Sequence, residues 1–431
     1  MKKILIVQIL IFVCLGLYAQ ETNELGNVLS QISEISDIQK LTSSAYKEKY
    51  VLKFSQQLDW KNAQNGNFLQ RIVVCFRGFD RPTVLVTEGY SASYALRPNY
   101  REELSEMYNA NLVVVEHRFF EESAPKNLDW KFMTVSNSAS DLHHVREVFG
   151  KIFKNKWIST GISKGGSTCT YYRAFFPKDV DITVAYVAPI SRNVEDGRHE
   201  KFLQKKVGTK EEREKIWDCQ REFMKRKPQL MKLLDVYVKE QNYKFYLPLT
   251  EIFDYMVLEY EFSLWQWGTS IKTIPSKGES DKVWFDYLVE MVGPDYFAYP
   301  SEYLPFFYQA IRELGYYGYS LKNIKKFSSL KTTKDYVKKI MVSEDMRGVE
   351  FDKTVCKFTE KFLKQNDPTL IFIYGENDPW TASGVANWLN CKKKHNMEVF
   401  VQPRGSHLSR IANMPNNMKE QITSKLDNWL K

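Results

Sequence analysis

The chain has 431 residues, enough for a large core or for one domain carrying a sizeable insertion. Hydrophobic residues make up 43% and charged residues 26%, an ordinary globular balance. The formal charge of +9 comes from 61 basic and 52 acidic residues with the signs interspersed, and the lack of a long basic block argues against a nucleic-acid partner.

In chain order, the first element expected is an export signal over residues 1–19. Lys2 and Lys3 precede an apolar run from Ile4 to Leu17, and Tyr18-Ala19 is followed by polar Gln20-Glu21-Thr22. The run is too short for a membrane span, the cut is expected after Ala19, and no later segment is apolar enough to cross a bilayer. Bulky Phe12 and Val13 before Cys14 speak against a lipoprotein site. The mature chain keeps Cys75, Cys169, Cys219, Cys356 and Cys391, scattered and without metal spacing. An exported chain could form one or two bridges among them.

Residues 50–77 alternate apolar and polar side chains around Asn65-Gly66-Asn67, which predicts an antiparallel hairpin. Dense apolar runs at 83–87 and 111–115 read as buried strands, with helical segments at 99–108 and 138–151. Another strand ends at Trp157-Ile158-Ser159-Thr160 and runs into Gly161-Ile162-Ser163-Lys164-Gly165. A helix follows, stopped by Pro177, and then a strand over 181–189. Strands alternating with helices predict an α/β fold, a parallel sheet with helices on both faces, over residues 20–190. From 191 to 350 the pattern changes to charged amphipathic helices, such as 210–241, and an aromatic stretch from 243 to 319. This reads as a helical cap inserted into the sheet domain, which resumes over 351–431 with strands at 369–374 and 398–402 and a closing helix at 415–429.

The Gly-x-Ser-x-Gly run between strand and helix is the setting of a nucleophile elbow, which aims the Ser163 hydroxyl at the carboxyl edge of the sheet. A serine needs a base, and the base needs an orienting carboxylate, in the chain order Ser, acid, His. The strand at 369–374 runs directly into Gly375-Glu376-Asn377-Asp378-Pro379, so Asp378 is the expected acid and Glu376 its competitor. Asp367 precedes the strand and falls at the wrong edge, and Asp378 could equally cap the turn after it. Of six histidines, His117, His143 and His144 precede the serine, His199 falls in the cap, and His395 lies before the last strand. His407 follows that strand and is the expected base. Backbone N–H groups of Lys164 and of Gly89, in the turn Glu88-Gly89-Tyr90-Ser91, are the expected oxyanion hole.

With these residues in place, the chain resembles the secreted tripeptidyl aminopeptidases of the α/β-hydrolase serine peptidases, relatives of prolyl carboxypeptidase and dipeptidyl peptidase II. The motifs that carry the resemblance include Glu116-His117-Arg118-Phe119-Phe120, Trp157 to Gly166, Tyr374 to Trp380, Gly405-Ser406-His407, Glu259-Tyr260-Glu261-Phe262 and Gly315-Tyr316-Tyr317-Gly318-Tyr319. The resemblance implies an α/β-hydrolase domain with a helical cap, and a Ser163–His407–Asp378 triad that acts on peptide substrates without metal or cofactor. It also implies release of short N-terminal peptides, typically tripeptides, with a leaning toward proline at the cut. Relatives tend to carry a glycine after the aromatic pair, where this chain has Glu121, so bulk and charge are expected near the substrate side. A free α-ammonium group needs a carboxylate in a partly dry pocket, for which Glu259, Glu261 and Glu88 are candidates. A carboxylic-ester hydrolase, and a silent peptide-binding protein on the same fold, are the alternatives. The oligomeric state and bridge pairing stay open.

Overall fold

A computed structural model describes residues 23–431. The expected signal over 1–19, its cut after Ala19, and Cys14 lie outside the described residues.

One nine-stranded sheet carries the molecule: β1 (Ile35–Lys40), β2 (Glu48–Gln57), β3 (Asn67–Phe76), β4 (Thr83–Thr87), β5 (Asn111–Val115), β6 (Trp157–Ile162), β7 (Ile182–Tyr186), β8 (Leu370–Gly375) and β9 (Met397–Gln402). Their spatial order is β1-β2-β3-β5-β4-β6-β7-β8-β9. β1, β2 and β3 pair antiparallel, and β3 pairs antiparallel with β5. From β5 to β9 every pairing is parallel. The arrangement is an α/β-hydrolase sheet with a helical insertion. β4, β5 and β7 are buried at every residue, as strands covered on both faces must be. Alternation assigns the two cores. Val84, Val86, Leu112 and Val114 pack with Ile422 and Leu426 of the closing helix Asn416–Leu430. Leu85 and Val113 pack with Leu142, Val145 and Phe149 of the helix Val135–Phe149.

The edge strand β1 has no apolar run that would announce it. Its residues are half-buried or exposed, and a register shift beside Asp37 (φ 56°) bends it. The amphipathic segment expected as one helix over 210–241 is two, Lys210–Lys225 and Lys227–Glu240, because Pro228 lacks the N–H a continuous helix needs. Between β7 and β8 the described elements are helices; Thr354–Gln365 packs Cys356 and Leu363 against Phe372 of β8, whereas those before Val349 share one aromatic core. Its central element is Leu249–Trp267, buried along nearly its whole length. Phe119, Phe120, Phe132 and Trp380 of the sheet part join that core, so the insertion sits directly on the carboxyl edge of the strands.

All five described cysteines are free, with no bridge among them. Cys75 lies on β3, Cys169 on the helix Lys164–Phe175 and Cys219 on an insertion helix. These three are buried packing residues, and burial pushes each thiol up to about 12.

Candidate active site

β6 ends at Ile162 and the helix Lys164–Phe175 begins two residues later, which leaves Ser163 alone to turn the chain. It does so at φ 57° and ψ −121°, a backbone that L-residues rarely adopt and that costs about 1–3 kcal/mol. The Ser163 N–H donates to Tyr186 O on β7 at 2.9 Å, tying the strained residue to the sheet. The flanking glycines answer to space. A Cβ on Gly161 would stand 2.3 Å from Gly165 O, and one on Gly165 would stand 2.7 Å from Thr87 O. Sequence and strain therefore explain each other: strand, serine and helix can meet this closely only between residues without side chains.

Beyond β8, the Asp378 carboxylate is fully buried and uses both oxygens. Oδ1 accepts the Trp380 N–H at 3.1 Å and caps the turn Pro379–Ala382, while Oδ2 lies 2.7 Å from His407 Nδ1. Capping and orienting are thus done by one residue. His407 follows β9 and is 4% exposed, and its N–H donates to Gln266 O of the insertion at 2.9 Å. A proton on Nδ1 facing the carboxylate leaves Nε2 as the ring's acceptor. Ser163 and His407 line one cavity of about 850 Å³. The Ser163 hydroxyl itself has no hydrogen-bond partner among the described residues, so the structure joins His407 to Asp378 and brings Ser163 to the same chamber. Glu376 is exposed and accepts the Arg404 N–H at 2.7 Å, away from the imidazole. Asp367 accepts from His395 and Asn396 N–H groups. His199 faces Ser383 Oγ at 3.1 Å, and burial pushes its ring down to about 4.

The turn after β4 presses on the start of the helix Lys164–Phe175. A Cβ on Gly89 would stand 2.6 Å from Lys164 Cβ and 2.8 Å from Gly165 N. The room that Gly89 makes is used by the helix start; the cavity wall is formed by its neighbours Glu88 and Tyr90. No described group accepts the Tyr90 N–H, which makes it a candidate donor beside the Lys164 N–H. Lys164 also fastens this turn. Its Nζ donates to Gly89 O at 2.5 Å and lies 5.5 Å and 5.3 Å from the rings of Tyr90 and Phe120. The residue is 4% exposed, and burial holds its amine well below the usual lysine range.

The three candidate carboxylates part company. Glu88 lies on the cavity wall, where burial pushes it up to about 7 against the pull of the Tyr94 hydroxyl and the Gly89 N–H. Glu259 is 4% exposed and sits behind the wall, holding Tyr317 and Tyr319 hydroxyls at 2.8 Å and 2.5 Å. Glu261 is turned away from the cavity and accepts the Trp217 indole N–H at 2.9 Å. Burial pushes both up to about 7. Glu121, expected near the substrate, lines none of the cavity. It takes φ 34°, a conformation glycine adopts freely, and its carboxylate accepts from Arg71 at 2.5 Å.

Sequence reasoning missed Glu102 and Glu103, which line the chamber with Tyr94 and Arg410. Glu102 accepts the Ser105 N–H at 2.6 Å, and Glu103 accepts from Tyr186 Oη at 2.6 Å and the Ala412 N–H at 2.7 Å. Paired acids opening the short helix Glu103–Tyr108 were a visible signal, but its nearness to Ser163 was not. Among the described residues no group of acids, histidines and cysteines could hold a metal ion, and no helix is long and apolar enough to cross a membrane.

Comparison with known proteins adds to this geometry. Residues 21–431 match a family model described as PS-10 peptidase S37. A prolyl tri/tetrapeptidyl aminopeptidase of Streptomyces mobaraensis is 28% identical over 389 residues, covering 88% of this chain and 79% of the relative. Among solved structures, a proline iminopeptidase of Mycobacterium smegmatis is 11% identical with a TM-score of 0.42, over 91% of this chain and 99% of that chain. The peroxisomal alpha-beta-hydrolase Lpx1 of Saccharomyces cerevisiae is 12% identical with a TM-score of 0.39, over 89% of both chains.

Proposed function

The chain belongs to the PS-10 peptidase S37 family, and from that premise we propose how its residues cleave a peptide. It is a serine peptidase that releases short N-terminal peptides. Ser163 is the nucleophile, His407 the general base and then acid, and Asp378 the residue that holds the imidazole in the productive tautomer. The observation that carries the assignment is the 2.7 Å contact of His407 Nδ1 with buried Asp378, on the wall of the chamber that Ser163 enters from its strained turn.

In this reading, Ser163 Oγ attacks the scissile carbonyl while His407 Nε2 takes its proton. The carbonyl oxygen becomes an oxyanion received by the N–H groups of Lys164 and of the Gly89–Tyr90 turn. Collapse breaks the C–N bond, and the imidazolium gives its proton to the leaving amine. Water, deprotonated by the same imidazole, then attacks the ester; the C–Oγ bond breaks, the imidazolium returns its proton to Ser163 Oγ, and the N-terminal fragment leaves with a free carboxylate. Products are short peptides, typically tripeptides, with proline favoured at the cut, by likeness to the prolyl tri/tetrapeptidyl aminopeptidase of Streptomyces mobaraensis. The chain is exported, which rests on the charged and apolar pattern of residues 1–19.

The test is turnover of tripeptide amides with free and with acetylated amino termini, by wild type and Ser163→Ala. Loss of turnover by about 10⁶-fold in a variant that keeps its Tm, with acetylation blocking the wild type, is expected. Retained turnover in Ser163→Ala would remove the nucleophile assignment, and equal cleavage of acetylated peptide would remove the exopeptidase reading.

A further inference from the structure

Glu259 is a nearly inaccessible carboxylate with no Lys, Arg or His within ion-pair distance among the described residues. A buried anion without a cation is costly, and its hydrogen bonds show how the fold meets that cost. The Tyr317 and Tyr319 hydroxyls donate to Oε2, and the Ser263 hydroxyl donates to Oε1 at 3.3 Å. Two more phenols extend the chain: Tyr296 Oη lies 3.0 Å from Tyr317 Oη and 2.7 Å from Tyr316 Oη. Tyr296 and Tyr316 line the chamber that holds Ser163 and His407.

Each phenol has one proton, and that determines the direction of the chain. Tyr317 spends its proton on Glu259. The 3.0 Å contact between Tyr296 and Tyr317 then needs the Tyr296 proton, and the 2.7 Å contact between Tyr296 and Tyr316 needs the Tyr316 proton. The order Tyr316 to Tyr296 to Tyr317 to Glu259 is the one that satisfies every short contact. All protons point inward. The outermost oxygen, on Tyr316, keeps lone pairs and no proton to offer, and where Glu259 is ionised the negative charge at the inner end polarises it further. The wall of a serine-peptidase chamber is thereby built to accept from a donor, and from a cation best of all.

We propose that Tyr316 Oη, with Tyr296 beside it, receives the free α-ammonium group of the peptide, and that Glu259 is a positioning residue acting through the phenols without touching substrate. The proposal rests on the peptidase reading above and supplies the missing counter-charge: the substrate's ammonium neutralises the buried carboxylate across the three hydroxyls of Tyr316, Tyr296 and Tyr317. It also distinguishes a free amino terminus from a blocked one, since an acetylated nitrogen carries no positive charge.

Glu259→Gln tests it. A glutamine amide can donate to Tyr317, which lets the phenol chain reverse and turns a proton of Tyr316 toward the chamber. The readout is the ratio of kcat/KM for a free tripeptide amide to that for its des-amino analogue. That ratio is expected to fall about 10- to 100-fold, mainly through KM, the range for losing one charge-assisted hydrogen bond. Labelling of Ser163 by a small fluorophosphonate reports an intact catalytic centre in the same sample. Tyr316→Phe, which leaves the Glu259 contacts in place, is expected to lower the ratio likewise and serves if Glu259→Gln does not fold. An unchanged ratio in both variants, with normal labelling, overturns the proposal while leaving the peptidase intact. A wild-type ratio near one instead fails the aminopeptidase reading itself. An acetylated peptide with an N-terminal lysine that acquires the same Glu259 dependence would transfer the site to a side-chain ammonium and overturn the α-ammonium assignment.

Discussion

The sheet edge and the helical insertion face each other across one chamber, yet they are built on opposite principles. At the edge, the candidate catalytic groups are held by backbone. Ser163 sits on a turn with φ 57°, Asp378 caps the turn it starts, and His407 is fixed by its own N–H. In the insertion, the wall is held by side chains, and its polarity comes from phenols whose partners lie far apart in the chain. A geometry made by backbone leaves a local signature and tolerates few residue types. One made by side-chain networks leaves only an enrichment, because many pairings are compatible with the same composition.

The largest effect that would sharpen this contrast is at Asp378. In Asp378→Asn the retained oxygen can still accept the Trp380 N–H, so the cap and the fold survive. The new amide then faces His407 Nδ1 with a donor, and the imidazole must carry its proton on Nε2, where the base should be. kcat is expected to fall by about 10⁴-fold while Tm stays close to wild type. A variant with wild-type kcat would show that Asp378 is a cap alone.

Legibility followed the same division. The alternation of β2 with β3, the buried runs of β4, β5 and β7, and the glycine-flanked serine could be read because strand pairing, burial on two faces and a tight turn each restrict neighbouring residues. β1 escaped because an edge strand with one half-covered face needs no apolar run. The break at Arg226 was visible in Pro228, but the amphipathic stripe continues across it. At the site, where the side chains of Asp378 and His407 lie 2.7 Å apart, strand ends and chain order narrowed the candidates to His407 and to Asp378, with Glu376 as competitor. They could not say which carboxylate meets the chamber. Glu259 and Glu261 are two apart on one helix and therefore on different faces, and only the tertiary partners of each face tell them apart. The acids Glu102 and Glu103 line the chamber through tertiary contacts, such as Glu103 with Tyr186 and Ala412, that no local pattern records.

A smaller effect is expected at Lys164, where the two principles meet: a side chain holds a piece of backbone. Its amine is buried against two aromatic rings with Gly89 O as acceptor, and a buried amine is costly. Lys164→Met keeps the length and the apolar stem but releases the turn that carries the Tyr90 N–H. kcat should drop about 10-fold with KM little changed, less than the 10²–10³ for deleting an oxyanion donor because the turn is loosened and not removed. Tm should hold or rise. A fall in Tm with unchanged kcat would make Lys164 a packing residue.

The smallest effect separates the two neighbouring acids of the central insertion helix. Burial pushes Glu261 up to about 7 in the fold, opposed by the Trp217 indole and by Arg213. An acid whose folded pKa lies above its unfolded value keeps a proton in the native state that the unfolded chain has already released. Its contribution to stability is therefore most favourable below about 4.5 and is lost as pH rises toward 7. Glu261→Gln removes that penalty and keeps an acceptor for the indole. At pH 8 the variant should be more stable by about 1 kcal/mol, allowing for partial exposure, or about 2 °C in Tm. By pH 4.5 the gap should close. Peptide turnover should not change, because Glu261 lines none of the chamber, whereas the same substitution two positions earlier should alter how free amino termini are chosen. Thermal scans across that pH range decide the matter: a gap independent of pH would mean that ionisation of Glu261 costs the fold nothing, and a shift in amino-terminal selectivity would place it in the network that the structure gives to Glu259 alone.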